Sequence, residues 1–99
     1  MKNNNIIALN KQEEIDLLQS ILKDGAQRML AVAIESEVEG FIDKNRSLKT
    51  ANDKAAIVRN GYLPERTIQT GLGDIAVKVP KVRDRSGSNL KFNSQLVPP

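Results

Sequence analysis

Apolar residues recur at three- and four-residue steps through the first half of this chain and at two-residue steps through much of the second. That change of period predicts helix first and strand afterwards. Asn10 followed by Glu13 reads as a capping box, and behind it Ile15, Leu18, Ile21 and Leu22 fall at helical spacing. Asp24-Gly25 is expected to break or bend the helix, and Asp24 with Gln27 repeats the capping arrangement. A second helix is expected from about Ala26 to Lys44. Its apolar face contains Ala26, Met29, Leu30, Ala33, Ile34, Val38, Phe41 and Ile42, with Glu35, Glu37 and Glu39 largely on the other side. Two amphipathic helices joined by a short break predict a helical hairpin. Met29, Leu30, Ala33, Ile34, Val38 and Phe41 are its candidate assembly face.

The second half alternates. Residues 45–56 are polar, and a short helix is expected near Asp53 to Val58. Asn60-Gly61 marks a turn. Glu65 to Thr70 alternates around Ile68, Gly71-Leu72-Gly73-Asp74 supplies a loop, and Ile75, Val77 and Val79 share one face of a second strand. Pro80 ends this ladder or confines it to an edge. The expected organisation is a frayed start (1–9), the helical hairpin (10–45), a polar connector (46–58), a basic β-hairpin region (59–85) and a loop running out at the C-terminal end (86–99). The class is α+β, in one small domain or a fragment of one.

Composition narrows the chemistry. The 99 residues include no cysteine and no histidine, which removes disulfides, zinc fingers, cysteine nucleophiles and histidine bases. Aromatic residues are scarce, so any core is small and aliphatic, and self-association would help a marginal fold. Neither a signal peptide nor a membrane span is visible, which makes the cytoplasm the default compartment. The net charge of +3 is unevenly spread. Residues 1–50 hold 7 Lys/Arg against 8 Asp/Glu, and residues 51–99 hold 8 against 4. A basic second half fits nucleic-acid contact, and ordinary solubility charge fits it equally.

Glu35 and Glu39 lie one helical turn apart, but without histidine or a second carboxylate cluster a solvated face explains them better than a metal site. Gly71-Leu72-Gly73 lacks the further glycine or Lys-Ser/Thr of a phosphate loop and leads into a strand, so hairpin geometry explains it. The basic positions are the stronger candidates. Lys78, Lys81, Arg83 and Arg85 recur every two or three residues, and Arg59 and Arg66 flank the turn before the first strand. They would either neutralise a run of DNA phosphates or form a solvated strand face that guards an edge. Asn60 and Tyr62 sit beside them. Tyr62 could meet DNA, although packing of its ring is the commoner use.

The ordered series Arg59-Asn60-Gly61-Tyr62, Glu65-Arg66-Thr67, Gly71-Leu72-Gly73-Asp74 and Val79-Pro80-Lys81-Val82-Arg83-Asp84 resembles the region preceding the catalytic domain in Mutator-type insertion-sequence transposases. The resemblance extends from about Leu18 through Leu96-Val97-Pro98-Pro99. It implies DNA binding and assembly in transposition, with element terminal inverted repeats as the double-stranded partner and a homo-oligomer or full-length transposase as the protein partner. It also implies that the divalent metal and its carboxylates belong to a later domain. These 99 residues are therefore expected to be non-catalytic, with no cofactor of their own, and residues 86–99 to be a lead-in to that domain. Rival expectations are a protein-interaction module for dimerisation and an inactive remnant of a truncated enzyme.

Overall fold

The computed structural model describes residues 8–99. The α+β class is as expected, but the helical hairpin is replaced by one unbroken helix. This helix, α1, spans Lys11–Lys44. Its start is the capping box. The Glu13 amide donates to Asn10 Oδ1 at 2.8 Å, and Glu13 Oε1 accepts from the Asn10 amide at 3.2 Å. Asp24 does not cap a second helix; it pairs with Arg28 one turn on, at 2.9 Å. Gly25 costs only about 1 kcal/mol of helix propensity, and without a proline nothing breaks the hydrogen-bond ladder there. At the far end the Asn45 side chain donates to the Phe41 carbonyl at 2.8 Å.

Four short strands follow: β1 (Ile57–Tyr62), β2 (Arg66–Thr70), β3 (Gly73–Val77) and β4 (Pro80–Asp84). They form two antiparallel ladders, with β2 against β3 inside and β1 against β4 outside. The inner hairpin turns through Gly71 and Leu72, with Thr70 opposite Gly73. Thr70 Oγ1 closes the turn by donating to the Gly73 carbonyl at 2.7 Å and accepting from the Leu72 amide at 3.1 Å. Gly73 has φ +114°, a backbone that a side chain would strain.

Two sequence expectations are corrected in β1. The short helix near Asp53 to Val58 is absent. Lys49 and Ala55 instead bridge across a turn at Asp53, and Ile57-Val58 already belong to the strand. Asn60-Gly61 is not a hairpin turn but a bulge within β1. Arg59 pairs with Val82 and Tyr62 with Pro80, so two residues face Lys81 alone. Gly61, at φ +70°, supplies the conformation. The inner ladder stops at Val77, before Pro80, which opens the single-partnered strand β4, where a missing N–H is tolerated, and is fully buried.

The core is aliphatic. Ile34 of α1 meets Ile75, Val77, Val79 and Val97, with Ala26, Leu30, Ile68 and Phe92 around them. The alternation read in Ile75, Val77 and Val79 is thus the buried side of the sheet. Phe92 of the C-terminal segment meets Phe41 edge-on, with ring centroids 5.5 Å apart. Ile34→Ala should destabilise the domain by about 2–5 kcal/mol, since it both removes buried methylenes and leaves a cavity. A thermal melt followed by circular dichroism would read this as a large fall in midpoint, whereas Met29→Ala, on an exposed position, should leave the midpoint nearly unchanged.

Candidate nucleic-acid interface

The basic residues singled out in the sequence divide into two groups by what they touch. Arg59 projects from the helix-facing side of β1 and grips Glu35 of α1 with both arms. Its Nη1 and Nη2 donate to Oε1 at 2.6 Å and to Oε2 at 3.0 Å. Tyr62 joins them, its hydroxyl accepting from Arg59 at 3.3 Å and reaching Glu35 Oε2 at 3.5 Å. The guanidinium also lies 5.7 Å from the centre of the tyrosine ring. The bulge makes this possible. On a regular strand residues three apart point to opposite sides, and the bulge brings Tyr62 onto the side of Arg59.

Electrostatics follow the geometry. The bidentate hydrogen bonds from Arg59 hold the Glu35 carboxyl below its ordinary value, and the same bonds raise Arg59 further. Glu35 is taken up by Arg59 and Tyr62, while Glu39 is exposed. Glu37 is also engaged, accepting from the Ser94 hydroxyl and from the Gln95 amide at 2.9 Å. No group of three or more potential metal ligands comes together among the described residues, so the divalent metal implied by the sequence resemblance has no fitting donor set here.

Arg66 and Arg85 are likewise committed to the fold. Arg66 donates to the carbonyls of Val97 and Pro98, pinning the C-terminal segment across β2. Arg85 donates to the Ala55 carbonyl at 2.6 Å and so ties the exit of β4 to the approach of β1. Asp84 organises the loop beyond. It accepts from the Ser86 hydroxyl and amide and from the Leu90 amide, and these bonds, led by the hydroxyl, lower its pKa.

Lys78, Lys81 and Arg83 are exposed and make no ion pair or side-chain hydrogen bond among the described residues. The register places Arg83 opposite Val58, and Arg59 opposite Val82. Arg83 and Lys81 therefore share the side of the outer ladder that faces away from Arg59 and α1. Lys78 lies elsewhere, lining a groove with Glu35, Tyr62 and Glu65. Asn60 is exposed in the bulge. Lys91, which sequence reasoning passed over, lines one groove with Lys81, Asn89 and Asn93. No local pattern marks Lys91, because it reaches Lys81 only through the loop that Asp84 folds.

The assembly face also divides. Ile34 and Val38 are buried, and Leu30, Ala33 and Phe41 are half-buried, while Met29 remains 69% exposed. Most of that face is used internally. No described helix is long and apolar enough to cross a membrane.

A family model described as "Transposase, Mutator family" matches residues 1–98. No curated protein and no solved structure matches the chain.

The Glu35–Arg59 pair yields a pH dependence with a definite sign. Because the folded-state carboxyl is lowered, its contribution is fully present above the ordinary value of 4.5 and is lost as pH falls through the lowered value. Both side chains are 37% exposed, so screening by solvent limits the effect to roughly 0.5–1 kcal/mol. Melts of wild type and Glu35→Gln should differ by a constant amount at neutral pH, converge in acid, and differ less in high salt.

Proposed function

The chain belongs to the Mutator family of transposases, and from that membership we propose that residues 59–91 carry a DNA-contacting surface that helps recognise the terminal inverted repeats of its element. A transposition-related function and interaction with DNA come with the family; the surface and the repeat are our reading. We place the chain in the cytoplasm, with the DNA it acts on.

The observation that carries the proposal is the separation of cations by task. Arg59, Arg66 and Arg85 spend their donors on Glu35 and on backbone carbonyls. Lys81 and Arg83 stand together on the opposite side of the outer ladder, with Lys91 beside Lys81. Lys81 and Arg83 are two residues apart on a strand, or about 6.6 Å, close to the spacing of successive phosphates along one DNA strand. Contacts of this kind position a duplex and supply affinity. Arg59, Arg66, Arg85 and Tyr62 hold the fold that presents this surface, Asn60 borders it in the bulge, and Lys78 stands apart in the groove with Glu35 and Tyr62. No catalytic residue is assigned within this chain.

Fluorescence anisotropy of the chain against a terminal-repeat duplex and a scrambled duplex, at two salt concentrations, tests this reading. Lys81→Glu/Arg83→Glu should abolish binding without lowering the thermal midpoint. Lys81→Ala alone should weaken binding to both duplexes and reduce the slope of log affinity against log salt by about 0.9. Unchanged affinity in the double variant would remove these residues from the interface.

A further inference from the structure

The side of α1 that points away from the sheet carries its own apolar row. Ile15, Leu18, Leu22, Gly25, Met29 and Val32 follow one another at alternating steps of three and four, the a and d positions of a heptad pattern. Gly25 lies about half a turn around the helix from Ile34, so this row is distinct from the stripe that covers the core. The five side chains are 42%, 56%, 46%, 69% and 69% exposed in chain order. The strands that cover α1 are five or six residues long, whereas α1 has 34, so its first turns extend past the sheet.

We infer that this row is the interface with a second copy of the chain, paired antiparallel about a two-fold axis near Ser20. The argument for a second copy is self-complementarity in both shape and charge. Antiparallel pairing about that axis sets Leu18 against the partner's Leu22, and Ile15 against the partner's Gly25, so a large side chain fills the notch that glycine leaves. On the flank, Glu14 falls beside the partner's Arg28 and Ile21 beside the partner's Ile21. Two symmetry-related Glu14–Arg28 ion pairs thus close the ends of an apolar centre.

A parallel pair lacks these matches. It would stack Gly25 on Gly25 and leave a void at mid-seam, and it would place Arg28 beside an alanine. Arg28 is exposed and already points along the helix to Asp24, a pairing weak enough to be exchanged for one across the interface. Met29 has the aliphatic stem of Lys11 as its opposite number, which leaves the ammonium in water.

This pairing does not depend on the DNA-contacting surface, and mass measurement tests it without DNA. Sedimentation equilibrium of the chain at micromolar and near-millimolar concentration should show a reversible monomer–dimer equilibrium. Leu18→Glu/Leu22→Glu should weaken the dimer by about a hundred-fold or more while circular dichroism shows an intact thermal transition, since neither residue lies in the core. Arg28→Glu and Glu14→Arg should each weaken the dimer about ten-fold, and the double exchange Glu14→Arg/Arg28→Glu should restore it. A strict monomer at every concentration would overturn the inference. So would a dimer indifferent to Leu18→Glu/Leu22→Glu, or a double exchange that restores nothing.

Discussion

Ile34 and Val38 are the buried side chains of α1, and they lie beneath strands too short to bury an apolar face by themselves. Each ladder has only two strands, an arrangement that is marginal in water without a further layer. The helix is that layer. Val97 completes the core from the other end of the chain, so the C-terminal segment becomes part of the fold once Arg66 and Glu37 hold it in place. A domain of this size has little stability to spare, and every polar tie between helix, ladder and tail acts on the same small aliphatic centre.

The division of labour among the cations has a chemical basis. A guanidinium presents five donors in a planar fork, which suits a carboxylate or two neighbouring carbonyls, and Arg59 and Arg66 are used in that way. Lysine is a flexible point charge that holds its hydration, and Lys78 and Lys81 stay in solvent. Arg83 is the exception, an arginine with no partner in its own fold among the described residues. A fork left open on a strand beside Lys81 is suited to two oxygens of one phosphate, the chemistry that the family membership makes relevant.

Local patterns in the sequence read well where a single element decides the outcome. The Asn10–Glu13 box, the alternation of Ile75, Val77 and Val79, and the Gly71 turn all involve neighbours in sequence, and all three are present. The misreadings arise where tertiary structure overrides a local signal. Gly25 and Asn60-Gly61 carry breaker chemistry, yet one is absorbed in a helix whose ladder continues on both sides of it and the other in a bulge whose strand pairs with β4 on both sides. The basic residues are legible in the sequence, but their division into inward- and outward-turned groups is not. Which arginines turn inward depends on Glu35, on the Ala55 carbonyl and on the Val97 and Pro98 carbonyls. Those partners lie 24 to 32 positions away, beyond any spacing rule.

The bulge in β1 has a consequence for how this region tolerates change in length. Strand residues alternate sides, so the surplus residue between Arg59 and Tyr62 works like a phase shift that brings both onto the helix side. Loss of one residue there would re-zip the ladder in ordinary register and leave Arg59 and the tyrosine two positions apart, still opposite Val82 and Pro80 and still together on the helix side. A single-codon deletion at this point would therefore remove the bulge yet spare the side-sharing of Arg59 and the tyrosine, whereas the same loss elsewhere in β1 would turn every residue beyond it to the other side.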